Sequence, residues 1–204
     1  MTQGSDTPTA DDTDIGNADS APMFYVVSKR KFAILFLATM SLYLVYWFYK
    51  NWDRYKDKWP HASKFGSTIW PVPRAIFSIF FVHALFRKIK AHGQDNPAVG
   101  KWSNNVHATL IVLLMIVSTV FDPSTSRVLG SPFTAIGPPY GEVLSLALLV
   151  PLLFQFLKAQ EMINISCGDP GGVSNSSFSK ANYAWVVIGV LFWISAIIGI
   201  LLSV

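Results

Sequence analysis

The sequence holds a single cysteine, Cys167, in 204 residues. One thiol excludes an intrachain disulfide and any metal framework built on several cysteines. Charge is scarce as well. Charged residues make up 14% of the chain against 51% hydrophobic, with a mean hydropathy of +0.39, well away from the soluble average of about one residue in four charged. The first 22 residues contain no Lys or Arg but five of the acids: Asp6, Asp11, Asp12, Asp14 and Asp19. A stretch this polar buries too little apolar surface to offset its ordering entropy, so residues 1–22 are expected to form a disordered acidic tail. The tail also lacks the basic start and closely following apolar run of a signal peptide, so no processing is expected. Catalytic signatures are missing too. There is no G-x-S-x-G, H-E-x-x-H or Ser-Lys pair, and G-D-P-G-G at 168–172 has the glycines of a phosphate loop without its lysine. His61, His83, His92 and His107 share no ligand spacing with one another or with Asp, Glu or Cys. No cofactor and no metal are expected.

What the chain has is apolar length. Three runs, about Val106–Phe121, Tyr140–Leu157 and Tyr183–Val204, approach the roughly 20 residues that cross a bilayer core. Glu142 and Lys158 mark the ends of the second, and Pro151 predicts a kink within it. Buried ionisable groups, which ion-coupled carriers use, are absent from the middle of all three. On the third, Ser195, Gly199 and Ser203 form a row of small residues at i, i+4, i+8, a surface for close helix packing.

Two shorter aromatic-rich segments precede these. Phe32–Tyr49 is an uncharged run of about 27 Å of helix behind the basic collar Lys29-Arg30-Lys31. Beyond it, Phe48, Trp52, Tyr55 and Trp59 recur at spacings of four, three and four, which is one helical face. Lys50, Asp53, Arg54, Asp57 and Lys58 occupy the other side. The pattern predicts a helix lying in the membrane interface, aromatics toward lipid; burial of that face against the protein's own helices is the alternative. In the second segment, Trp70 and two prolines lead into a stretch with only twelve residues between Arg74 and Arg87, about 18 Å of helix. That is short for a span and predicts a re-entrant or interfacial helix. The expected membrane-interface set is therefore Phe48, Trp52, Tyr55, Trp59 and Trp70, with Lys50, Arg54, Lys58, Arg74 and Arg87.

Basic residues orient the chain. If neither short segment crosses, Lys and Arg fall 15 to 1 between the two sides; if only the first crosses, 12 to 4; if both cross, 9 to 7. The positive-inside rule ranks the models in that order. All three place 87–101 and 158–182 in the cytoplasm. The first model makes Phe32–Tyr49 a membrane-embedded hairpin, although Thr39-Met40-Ser41 offers no Gly or Pro to turn on.

The stretch L-A-T-M-S-L-Y-L-V-Y-W-F-Y-K-N-W resembles the signature of a family of uncharacterised bacterial integral membrane proteins, T-x-G-x-Y-G-x-Y-W-x-Y followed by a basic residue. Thr39, Tyr43, Tyr46, Trp47, Tyr49 and Lys50 match it, while Ser41 and Leu44 stand in place of its glycines. The resemblance implies a multi-pass protein of the bacterial inner membrane and implies no activity.

The sequence thus reads as an all-α integral membrane protein. It divides into a tail (1–22), an aromatic and basic membrane-embedded or interfacial region (23–101) and a three-helix transmembrane region (102–204). The expected partners are membrane lipids with anionic headgroups and a further membrane protein. Nucleic acid is not expected, because the basic residues flank apolar runs and form no stripe. A non-enzymatic scaffold that shapes the membrane or recruits a partner ranks first. A small permease or channel-like subunit ranks second, and an enzyme acting on lipid third.

Overall fold

The computed structural model describes residues 21–58, 69–121 and 139–202. Every regular element among them is helical. The acidic residues of the tail, Trp59, His61, the loop carrying Arg127 and Ser203 lie outside the described residues.

Helix α1 (Lys29–Ala38) starts where the Ser28 hydroxyl accepts the Lys31 N–H at 3.3 Å, one of the orphan donors of a first turn. It stops at Thr39, although the sequence stays apolar. The Thr39 hydroxyl donates to the Leu35 carbonyl at 2.7 Å and accepts the Tyr43 N–H at 3.0 Å. One side chain therefore closes α1 and opens α2 (Tyr43–Lys58). Between them Met40 and Ser41 take φ of 48° and 70°, the left-handed region that L-residues enter at a cost. Helix α2 then runs back along its own approach. Phe32 meets Trp47 with ring centroids 6.0 Å apart, and Arg54 donates to the Phe24 carbonyl at 3.0 Å. The run Phe32–Tyr49 is thus a hairpin of two arms.

The second short segment is α3 (Pro71–Ile76), a bend at Phe77, and α4 (Ser78–Gly93). Pro71 suits a first helical position, where a missing N–H costs nothing. After a single turn, α5 (Pro97–Gly100), helix α6 (Asn104–Phe121) returns antiparallel to α4. His83 Nε2 is hydrogen-bonded to Thr109 Oγ1 at 3.1 Å, and Phe86 packs on Trp102 with centroids 5.1 Å apart. Then come α7 (Tyr140–Ala147), α8 (Leu149–Ser166) and α9 (Lys180–Leu202). Ser118 bonds Ser145 at 3.3 Å and His107 bonds Gln155 at 2.7 Å, so α6 runs antiparallel to α7–α8. The break at Leu148 comes three residues before Pro151, whose ring cannot bond the Ala147 carbonyl and crowds it. The sequence-level kink is thereby placed.

Three helical lengths, Asn104–Phe121, Tyr140–Ser166 and Lys180–Leu202, are long and apolar enough to cross a membrane. The core sits beside their ends nearest Asn104, Ser166 and Lys180. There Phe32, Phe36, Trp47 and Phe48 all pack around Phe156 of α8, with centroids 5.5–6.5 Å away.

Candidate functional site

The segment Phe24–Val27 is buried and lies outside any helix, so its backbone polar groups cannot turn to water and must find partners. Carboxamides supply them. Asn51 Oδ1 accepts the Tyr25 N–H at 3.1 Å, and Gln160 Nε2 donates to the Tyr25 carbonyl at 3.1 Å. Asn175 Nδ2 donates to the Val26 carbonyl at 2.9 Å. Asn164 takes both groups of Val27, accepting the N–H at 3.4 Å and donating to the carbonyl at 3.0 Å. Gln160 also accepts the Trp47 indole N–H at 2.6 Å, tying the hairpin to α8. Each unpaired backbone group here would cost about 1–3 kcal/mol.

The G-D-P-G-G stretch completes this clamp. Asp169 accepts the N–H groups of Val173 and Ser174, each at 2.9 Å, and these bonds hold its carboxyl below the ordinary carboxylate range. The turn so fixed presents Asn175. Gly172 sits at φ 64°, where a Cβ would come within 2.6 Å of the Ser28 nitrogen and the Val27 carbonyl. The glycine serves close packing of two backbones.

Two hollows that share Tyr46 lie along α2, the first of them beside the clamp. The first, about 530 Å³, is polar and basic: Lys31, Lys50 and Arg54 line it with Tyr25, Tyr46, Asn175, Ser177 and Asn182, and no carboxylate does among the described residues. Lys31 is only 4% exposed. Its ammonium donates to Asn175 Oδ1 at 2.6 Å and to the Ser177 carbonyl at 2.7 Å. Lys50 is paired with Asp53 at 3.4 Å, and Arg54 stands 5.4 Å over the Tyr25 ring. The second hollow, about 310 Å³, is an apolar groove walled by Leu42, Tyr43 and Tyr49 of the hairpin, Val72 and Ile76 of α3, and Trp185 of α9. Tyr46 belongs to both.

The hairpin tip meets the middle of α9. Trp193 Nε1 donates to the Leu37 carbonyl at 2.8 Å. A Cβ on Gly189 would overlap the Ala38 carbonyl, so only glycine lets these backbones approach so closely. Gly189 lies nine residues beyond Lys180, about 14 Å along the helix.

The residues expected at the membrane interface divide. Phe48, Trp52 and Tyr55 are buried within the chain at 1%, 0% and 7% exposure, which corrects the lipid-facing reading of that helix. Their face is covered by Phe24, Phe81, Arg74 and Phe156, and Arg74 stacks 4.3 Å over Trp52 instead of reaching outward. The burial alternative holds. Trp70 is 65% exposed and Arg87 is exposed; Lys50, Arg54, Lys58 and Arg74 are half-buried. Of the small-residue row, Ser195 is exposed and a Cβ on Gly199 would meet nothing within 4 Å; the packing glycine within this chain is Gly189.

Sequence reasoning missed the clamp. Its signal was uncharged polar residues, Asn51, Gln160 and Asn164, inside or beside apolar runs. The described histidines stand apart: His83 on Thr109, His107 on Gln155, and His92 edge-on to Phe24 at 5.7 Å, where burial lowers its pKa. Among the described residues no three His, Cys, Asp or Glu converge as a metal site would need. Set against models of protein families, curated proteins and solved structures, the chain matches none.

Proposed function

We propose that this chain is a multi-pass protein of the bacterial inner membrane and acts without catalysis, as a scaffold that shapes the bilayer from one leaflet. The observation that carries this reading is the depth of the hairpin. Its tip packs on Gly189 and Trp193, about 14–20 Å along a helix of about 34 Å. A tip at that level stops near the bilayer midplane. Its backbone there is covered by α9 and by the Thr39 hydroxyl, as irregular backbone inside a membrane requires.

Helix α4 follows the same rule. His83 lies level with Thr109, the sixth residue of α6, so the start of α4 reaches about halfway along its partner. In cross-section one leaflet then holds α1, α2, α3, α4, α6, α8 and α9, and the other only α6, α7 and α9. The additional helical segments, each about 90 Å² in section for a diameter of 10–12 Å, make a wedge. The basic collar Lys29–Lys31, Lys158 and Lys180 stand at the broad end, which the positive-inside rule assigns to the cytoplasm. The likeness of residues 37–52 to a bacterial inner-membrane signature agrees with that placement.

A wedge prefers curvature that spreads its broad leaflet. The test is to label Cys167 with an impermeant dye in giant vesicles, which marks only copies with the broad end outward, and to pull narrow tubes outward. Labelled protein should be enriched in the tube, increasingly so as the tube narrows. Equal density in tube and vesicle would refute the proposal.

A further inference from the structure

We infer that the two hollows joined at Tyr46 form one binding site for an anionic phospholipid, its phosphate among Lys31, Lys50 and Arg54 and one acyl chain in the groove against Tyr43, Val72 and Trp185. This deepens the scaffold reading and rests on it, because the groove is a lipid site only if these helices lie in a bilayer.

Four observations converge. First, Lys31 is a buried cation with no carboxylate within ion-pair distance among the described residues. Two of its three ammonium protons are engaged, by Asn175 and Ser177, which leaves one donor for a ligand. Second, the basic hollow has three cations in its wall and no acid among the described residues. Among the described residues only Lys50 of the three has a carboxylate neighbour within ion-pair distance, Asp53. A phosphate would relieve that excess, and the Asn182 amide stands in the same wall to hydrogen-bond its oxygens. Third, the two hollows are stacked in the order of a lipid's own parts. Asn182, at the start of α9, lines the basic hollow, while Trp185, one turn further along, lines the apolar one. Tyr46 stands at that junction, with Tyr49 and Trp185 in the wall of the apolar groove, rings of the amphipathic kind that prefer the interface level. Fourth, the groove wall is exposed apolar surface: Val72 is 54%, Ile76 63% and Trp185 44% exposed. An acyl chain would cover it. Both hollows fall in the volume range of roughly 300–1,000 Å³ common to ligand sites. A soluble anion would use only the first hollow; a zwitterionic lipid such as phosphatidylcholine would bring its choline cation against Lys31, Lys50 and Arg54 and be held more weakly than an anionic one.

The test uses the full chain in neutral detergent, with thermal unfolding followed as lipid is added. Dioleoyl phosphatidylglycerol should raise the midpoint clearly more than dioleoyl phosphatidylcholine. Lys50→Gln, at a half-exposed position, should fold normally and bind phosphatidylglycerol about five-fold more weakly, the share of one basic residue. Lys31→Met should weaken it at least as much. Val72→Trp, which fills the groove, should reduce the response to both lipids and leave any response to inorganic phosphate unchanged. Equal effects of the two lipids would overturn the site, as would protection by inorganic phosphate matching that of phosphatidylglycerol. So would a lipid preference that appears only after residues 2–20 are deleted, since the acidic tail would then be the natural occupant. Loss of the lipid preference with enrichment in tubes retained would remove this site alone. Loss of tube enrichment with lipid preference retained would remove the wedge alone.

Discussion

Replacing Thr39 by Val isolates the device that turns the hairpin. The two side chains have nearly the same volume, and Thr39 is 1% exposed, so packing should be unchanged. What is lost is one hydroxyl with two partners. The Leu35 carbonyl keeps the Thr39 N–H at 3.1 Å, so that acceptor stays satisfied. The Tyr43 N–H has no such reserve, because its acceptor is the hydroxyl itself at 3.0 Å. A buried donor left unpaired costs about 1–3 kcal/mol, which is roughly a 5- to 150-fold shift in the unfolding equilibrium. Thr39→Ser keeps the oxygen and should cost well under half as much. Ser41→Gly should go the other way. It relieves a left-handed residue worth about 1–2 kcal/mol and gives back about 0.5–1 kcal/mol in glycine entropy, a net gain of about 0.5 kcal/mol. The assay is reversible unfolding in mixed micelles with increasing dodecyl sulfate, followed by tryptophan fluorescence, with Trp47 and Trp52 as buried reporters. If Thr39→Val matches the parent within about 0.5 kcal/mol, the hydroxyl is not what turns the chain.

Gly189→Ala places a methyl group into the Ala38 carbonyl and should destabilise the chain by at least 1–3 kcal/mol, the usual cost of overpacking. Gly199→Ala, in open space, should be neutral or slightly stabilising in the same unfolding assay. Cys167 should be labelled slowly. Burial pushes its thiol pKa up, only partly offset by hydrogen bonds from Phe24 and Ser166 and by the Arg54 charge. Its rate with maleimide should therefore go on rising with pH above the range where a free thiol has levelled off. Because the folded chain holds this proton more tightly, the associated stability is present at neutral pH and declines as pH climbs through the raised pKa. A rate profile identical to that of free cysteine would refute the burial of Cys167.

The long helices were legible because their signal is simple. An apolar run of sufficient length reports itself, and the start expected at Tyr140 matches the observed one. Helix α8 was harder. Its apolar run fades at Lys158, yet the helix continues to Ser166, because Gln160 and Asn164 are satisfied by another backbone instead of by water. The two-arm hairpin was expected from charge counting alone, with no turn residue to support it. Thr39 supplies the turn through hydrogen bonds that a residue-type rule does not register. Trp52 was misplaced for a different reason. Helical spacing identifies an apolar face but not its cover, and lipid and α3–α4 satisfy that face equally well. The basic hollow was out of reach, since Lys31, Lys50 and Asn182 are brought together only by the fold.

The carboxamide clamp also imposes an order of events during synthesis. Val27 waits for Asn164, 137 residues later, and Val26 for Asn175, 149 residues later. The Leu37 carbonyl finds its indole partner 156 residues on. At roughly 5–20 residues per second, the front of the chain spends about 7–30 s without the groups that close it. The hairpin turn and the segment before it must therefore be sheltered by something else while the ribosome is still at work. A chain cut short before Asn164 would expose an unpaired non-helical segment and an open turn together, a ready target for a membrane quality-control protease.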